Sequence, residues 1–385
     1  MNLRIFFDPV KSDITFDPGD ASLFANNISI YREGFPSLTE VDVVIFGVAE
    51  DSGNPENRSG AKAADEVRKK LYSLRKGSNT VRIGDLGNLR CGVNLEESYL
   101  RLKEVCEILL QQKVFPIIIG GSHDMDYGQF LAYETTEKLI SLLNIDATVD
   151  MNGSPENQSK HHIHKILVHE PNSIFHYSHL GYQSYLTDPE TMGVLEKLYF
   201  EAYRIGQVRD DLEEMEPVIR HADMMTFDIS AIRMQDAPGH KQTQPFGLTG
   251  EEACRICWYA GLSSKLTSAG FYEYNADEDH RGQTAFLLAT MIWYLVEGFG
   301  HRQEDLNLKD PRYTKYTVNL ASEPHQLIFY KHSLTEKWWM EVPFPDESKS
   351  KYARHSIVPC SYNDYLLAGT GELPSRWILT HAKLI

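Results

Sequence analysis

Four short segments of this 385-residue chain place a histidine or a carboxylate directly after a run of apolar residues. They are IIIGGSHD (117–124), NIDATVD (144–150), MTFDISAIR (225–233) and GFYEYNADED (270–279). His123, Asp146, Asp150, Asp228 and Glu273 therefore fall where core strands are expected to surface. Charge at such a point needs compensation, and a divalent cation supplies it to nitrogen and oxygen ligands together. Each segment alone also has a plainer reading. GGSHD is a glycine turn with a solvated histidine, Asp146 and Asp150 are helix caps, and Asp228 is a loop residue. Four strand ends with the same chemistry favour a metal site.

The elements that would position these residues follow from the hydropathy pattern. From Val41 onward, apolar runs alternate with helical patterns, as in a parallel sheet wrapped by helices. The runs predict strands at 43–47, 114–119, 140–145, 174–177, 202–205, 224–227 and 269–274, and helices near 63–72, 95–112 and 284–297. Open α/β sheets bind ligands beyond the carboxyl ends of their strands, where the four segments fall. Residues 1–40 show no clear pattern. After Gly300 a polar stretch leads into YTVNL, HQLIFYKHS and EKWWMEVPFP, which predict antiparallel strands, and PDESKSKYARHS reads as an exposed loop. The expected organisation is an N-terminal segment (1–40), an α/β domain (41–300) and a β-rich C-terminal extension (301–385).

Composition narrows the class. With 42% apolar and 11% aromatic residues the chain buries a substantial core, while a net charge of −16 disfavours nucleic acid or an anionic membrane as partner. MNLRIFFDPV shows no secretory signal, and the longest apolar stretch, 285–296, is too short for a bilayer span. Five scattered cysteines suit a reducing, cytoplasmic setting. Cys254 and Cys257 form a CxxC pair, but EEACRICWYAG runs on as a helix through them, so buried thiols are expected rather than a zinc or redox site.

Taken in order, these motifs resemble the ureohydrolase family, which includes arginase, agmatinase and formimidoylglutamase. IIIGGSHD resembles its Gly-Gly-x-His motif, NIDATVD its Asp-x-His-x-Asp, MTFDIS its Asp-x-Asp and YEYNADED its Glu-x-Asn stretch. GVAEDSGNPENRSGAKAADEVR and RIGDLGNL resemble its upstream segments and HRGQTAFLLATMIWYL its closing helix, so the likeness spans residues 41–300. His123 with its following acid and Tyr127-Gly128 is most similar to the formimidoylglutamase branch. The resemblance implies a three-layer α/β/α fold around a mainly parallel sheet of about eight strands. It also implies homo-oligomers and C–N hydrolysis of a small linear amidine or guanidine.

In that family two Mn²⁺ ions share a bridging hydroxide. The resemblance implies that the first ion's ligands are kept here, as His123, Asp150 and the bridging Asp146 and Asp228. The second position has Thr148 where the family has histidine and Ser230 where it has aspartate. Neutral hydroxyls are poor ligands for a hard cation, so one Mn²⁺ is expected rather than two. Glu273 matches the family glutamate that contacts the substrate's planar cation. The loop SKHHIHKILVHE, where the family places proton-shuttling or substrate-contacting residues, offers His161, His162, His164 and His169. His162 is the expected acid or base, and an ordinary polar surface loop is the alternative. Arg233 and Asp236, in the loop after Ser230, are candidates to touch substrate that spacing alone does not place, whereas Asp277 and Asp279 read as solvated turn residues.

Two functions stay open. One is a formimidoylglutamase- or arginase-like hydrolase with at most one tightly held ion. The other is a catalytically inactive protein of the same fold that binds or scaffolds a partner through its extension. Trp338 and Trp339 offer that partner aromatic anchors, or else pack the extension onto the domain.

Overall fold

The apolar runs of the sequence become the middle of one large sheet. A computed structural model describes residues 3–58, 60–136, 138–154, 156–303, 307–345 and 352–385. The sheet strands are β1 (Phe7–Asp8), β2 (Ser29–Ile30), β3 (Val43–Val48), β4 (Ile83–Leu89), β5 (Phe115–Ile119), β6 (Ile140–Ile145), β7 (Ile174–Tyr182), β8 (Glu201–Arg204), β9 (Met224–Asp228) and β10 (Ser268–Tyr272). Their order is β1-β4-β3-β5-β10-β9-β6-β7-β8, with β2 also beside β4. Only β1 runs antiparallel to its neighbour; from β4 to β8 every pairing is parallel. Every residue of β3, β5, β6, β9 and β10 is buried, because helices cover both faces. Strands covered in this way read as continuous apolar runs rather than alternating ones.

Helices Gly60–Leu71, Gly250–Leu262 and Gln283–Gly300 pack on one face and Leu95–Gln111 on the other, giving three layers. Leu95–Gln111 shows why it forms. Tyr99, Leu102, Val105, Cys106 and Leu109 make one apolar stripe, and the Asn94 side chain caps the start by accepting from Glu97 N. A Thr249–Glu252 capping box starts the helix carrying Cys254 and Cys257, which are buried free thiols.

The N-terminal segment adds β1 and β2 to the sheet edge at β4. β4 itself was not among the predicted strands, since IGDLGNL carries no apolar run. Its Asp85 is fully buried and is neutralised by Arg68 (2.8 Å) and by the Tyr72 hydroxyl (2.9 Å).

The extension forms a separate antiparallel sheet of β11 (Tyr313–Asn319), β12 (Gln326–His332), β13 (Trp338–Glu341) and β14 (Ile357–Cys360). β14 and the helices Tyr362–Gly369 and Ser375–Leu384 extend the β-rich expectation into a mixed α and β unit. Of the expected loop 345–356, residues 346–351 lie outside the described residues, while His355 is buried and Arg354 pairs with Asp223. Trp338 and Trp339 are both buried, and the Arg220 guanidinium lies 4.4 Å from the Trp339 ring. Among the described residues no helix is long and apolar enough to cross a membrane.

Candidate metal centre

The four motif segments leave four strands that sit side by side at the centre of the sheet, β5, β10, β9 and β6. Beyond β5 the chain turns through Gly120 and Gly121, at φ of 90° and 86°. A Cβ at these positions would come within 3.0 Å of Val48 O and 2.9 Å of Glu50 O, so only glycine fits the turn that delivers His123 to the interior. Asp146 follows β6, Asp228 ends β9 and Glu273 follows β10. The loop beyond Asp150 leads into the short helix His162–Leu167, which begins with His162.

His123, Asp146, Asp150 and His162 come together, each offering a ligand atom within 4.8 Å of the others. His123 Nδ1 lies 3.2 Å from Oδ2 of both Asp146 and Asp228. His162 Nε2 lies 3.8 Å from Asp150 Oδ2, and the two imidazole centroids are 4.1 Å apart. The far side of each group is anchored. His123 Nε2 bonds Thr226 Oγ1 (2.7 Å) and His162 Nδ1 bonds Asp126 Oδ2 (2.8 Å). Asp146 Oδ1 accepts from Thr148 N and from the Ser230 hydroxyl, both at 3.1 Å. Asp150 Oδ1 accepts from the Thr148 hydroxyl (2.8 Å) and Asp228 Oδ1 from Ser230 N (2.6 Å).

What remains inside is a set of polar atoms with no partner. His123 Nδ1, Asp146 Oδ2 and His162 Nε2 are buried and make no hydrogen bond. Buried polar atoms are nearly always satisfied, so converging orphans of this kind fit a divalent ion. The charge balance agrees. Burial, then the charges of Asp228 and Asp150, raise the Asp146 pKa well above the carboxylate range. Burial opposes charging of His123, yet Asp146 and Asp228 hold its pKa well above the imidazole range. His162, against the same burial, is raised to about 9 by Asp126. Without a cation, protons are drawn in to replace it.

Glu273 is held with φ of 67°, a costly backbone for a residue with a Cβ. Its Oε1 accepts from His123 N and the Ser159 hydroxyl, both at 2.8 Å, and its Oε2 from Asn54 Nδ2 (2.9 Å) and Asn57 Nδ2 (2.8 Å). Burial would raise its pKa, but His240, Asn57 and the His123 amide bring it down to about 2. Glu273 lines a cavity of about 330 Å³ together with Thr148, Asp150, Asp228, Ser230 and His240.

Other expected residues lie elsewhere. The His161 and His164 rings lie 4.5 Å apart, tilted by 31°, and His169 bonds Tyr127 and Glu134. Arg233 pairs with Asp236 (2.9 Å), which also accepts from Gly250 N. Asp277 is an exposed partner of Lys62. Asp279 is a correction: it is not solvated but 7% exposed, and it accepts from Gln283 N and Ala285 N to anchor the last domain helix. The sequence reading missed Asp126, Thr226, His240, Asn54, Asn57 and Ser159. Asp126 had a signal, lying one helical turn after His123; Thr226 is an ordinary strand residue and had none.

The profile of the arginase family matches residues 41–297. The chain belongs to the arginase family. Formimidoylglutamase of Rhodococcus jostii is 26% identical over 279 residues, 66% of this chain and 84% of that protein. Formimidoylglutamase of Vibrio cholerae is 26% identical over 304 residues, 69% of this chain and 87% of that protein. Among solved structures, formimidoylglutamase from Bacillus subtilis gives a TM-score of 0.67 at 17% identity, covering 75% of this chain and 96% of that one. Trypanosoma cruzi formiminoglutamase with Mn²⁺ gives 0.63 at 18% identity, covering 69% and 96%. These structures share the arginase-family fold. The match holds every residue of the metal cluster, and the described residues of the extension contribute none.

Proposed function

We propose that this arginase-family chain hydrolyses a C–N bond in a small linear amidine or guanidine, in the manner of formimidoylglutamase, with one tightly held Mn²⁺. The observation that carries the reading is the set of partnerless, converging ligand atoms beside the cavity. Manganese is the choice because the Trypanosoma cruzi relative holds it. One ion is favoured over two because positions 148 and 230 offer only neutral hydroxyls: Ser230 donates to Oδ1 of the bridging Asp146, an oxygen a second cation would need, and Thr148 turns its hydroxyl to Asp150.

A divalent ion held there supplies Lewis acidity to the amidine or to an attacking water. The chain's own groups do the rest. Asp150, Asp228 and Glu273 give the cavity a negative wall that favours a protonated amidine. Glu273, with both oxygens already accepting, positions the turn that carries His123. His240 Nδ1 accepts from Gln242 N (2.9 Å), so Nε2 carries the proton, 3.8 Å from Glu273 Oε2. His240 lines the cavity, and that N–H can donate a hydrogen bond to a bound amidine or leaving amine. A cytoplasmic location and a homo-oligomer belong to the same reading, on family resemblance alone.

The test is metal counting and turnover on one sample. Protein is loaded with excess Mn²⁺, freed of unbound metal and assayed with formimino-glutamate, agmatine and arginine. About one ion per chain with turnover, abolished in Asp228→Ala, is the expected result. Two ions would remove the one-metal part. One ion without turnover on any amidine would leave the inactive binding protein, with a partner on the extension, as the surviving reading.

A further inference from the structure

His162 is 1% exposed, and its Nδ1 lies 2.8 Å from Asp126 Oδ2. An ionised carboxylate only accepts, so Nδ1 carries a hydrogen, and Nε2 is the atom that presents a lone pair once a cation displaces the second proton. That atom is buried and makes no hydrogen bond, 3.8 Å from Asp150 Oδ2 and grouped with His123 and Asp146. A lone pair facing carboxylate oxygens in a dry site is repulsive unless a cation lies between them. His123 repeats the arrangement, with Nε2 anchored on Thr226 and Nδ1 facing two aspartates.

We propose that His162 is itself a ligand of the divalent ion, through Nε2, with Asp126 as the outer carboxylate that fixes its tautomer. The centre is then built of two imidazoles and two carboxylates: His123, His162, Asp146 and Asp150. This deepens the metal-hydrolase reading, resting on it only for the presence of an ion, and makes His162 a ligand rather than a proton shuttle. Metal-bound histidines are ordinarily held in this way, by a carboxylate on the second ring nitrogen. Asp228 lines the cavity and lies outside the four-residue group.

The experiment uses chelator-stripped, full-length protein titrated with Mn²⁺ and read by electron paramagnetic resonance. Loss of the free-ion signal gives the affinity, and pulsed spectra count the nitrogens coupled to bound Mn²⁺. Two imidazole nitrogens are expected in the wild type and one in His162→Ala, with affinity reduced at least 10-fold. Asp126→Asn should keep the fold and weaken binding by roughly 10- to 100-fold. One nitrogen in the wild type, or an unchanged count and affinity in His162→Ala, overturns the assignment. The wild-type count needs no variant to fold. Turnover on the same samples separates the two claims. Hydrolysis with a one-nitrogen ion defeats the ligand and spares the function; a two-nitrogen ion without hydrolysis does the reverse.

Discussion

At the carboxyl ends of β5, β6 and β9, His123, Asp146, Asp150 and Asp228 are buried together with His162. Beneath the extension lies a second ionic cluster, in which the buried or half-buried Lys265, Lys383 and His176 and the exposed Arg354 surround the buried Glu201 and Asp223. The second closes on itself. Glu201 takes His176 Nε2 at 3.0 Å, Lys383 bonds the other nitrogen of that ring, and Asp223 takes Lys265, Arg354 and Ser141 N. The first does not close, because His123, Asp146 and His162 each turn an atom without a hydrogen bond into the same small space. Buried charge alone therefore marks no site; charge left incomplete does.

The largest test of that contrast is paired. Asp146→Asn should weaken Mn²⁺ by more than the roughly 10- to 100-fold typical of an outer partner, as read by titration calorimetry. Asp223→Asn should leave Mn²⁺ affinity unchanged but cost about 3 kcal/mol in denaturant unfolding, by stranding Lys265 and Arg354 without their carboxylate. Equal effects of the two on metal affinity would erase the distinction. Next in size, Thr148→His combined with Ser230→Asp should raise bound Mn²⁺ from one to two ions per chain by elemental analysis.

Titration separates the clusters by sign. His162 has its folded pKa raised to about 9, so in metal-free protein its stabilising contribution is full below the unfolded value near 6.5. That contribution is lost as pH rises through 9. Mn²⁺ must displace this proton and those held at His123 and Asp146, so its apparent affinity should rise with pH by up to about tenfold per unit for each proton released over this window. Burial lowers Lys265 and Lys383 from 10.5 to about 8 each. Between those values the folded chain binds fewer protons than the unfolded one, so this cluster should gain stability as pH rises from 8 to 10.5. Thermal melts with and without Mn²⁺ across pH 6 to 10 read both trends. The smallest effect is expected at the thiol pair: Cys257→Ser should cost about 1–2 kcal/mol and change metal content not at all.

Much of the domain was legible because its central strands are buried on both faces and read as unbroken apolar runs. β4 was not, since IGDLGNL has no unbroken apolar run and its buried Asp85 is accommodated by Arg68 of the helix Gly60–Leu71, a tertiary pairing with no local pattern. In the extension, Tyr362–Gly369 is short, and its capping box, Ser361 with Asp364, was the signal available. At the site, residues at strand ends could be located by position. Asp126, which anchors His162, comes from a different loop, and only the folded chain brings the two together.

The ion would sit between the ends of β5 and β6, strands that do not touch, since β10 and β9 lie between them. Holding both would make it a clamp across the middle of the sheet, fastening two strands that follow one another in the chain but that the fold sets three places apart. Such a clamp adds about 2.7 kcal/mol to the native state when free metal is about 100 times the dissociation constant, and nothing when it is scarce. For a cell, manganese supply would then govern not only whether the protein works but how long each copy survives proteolysis.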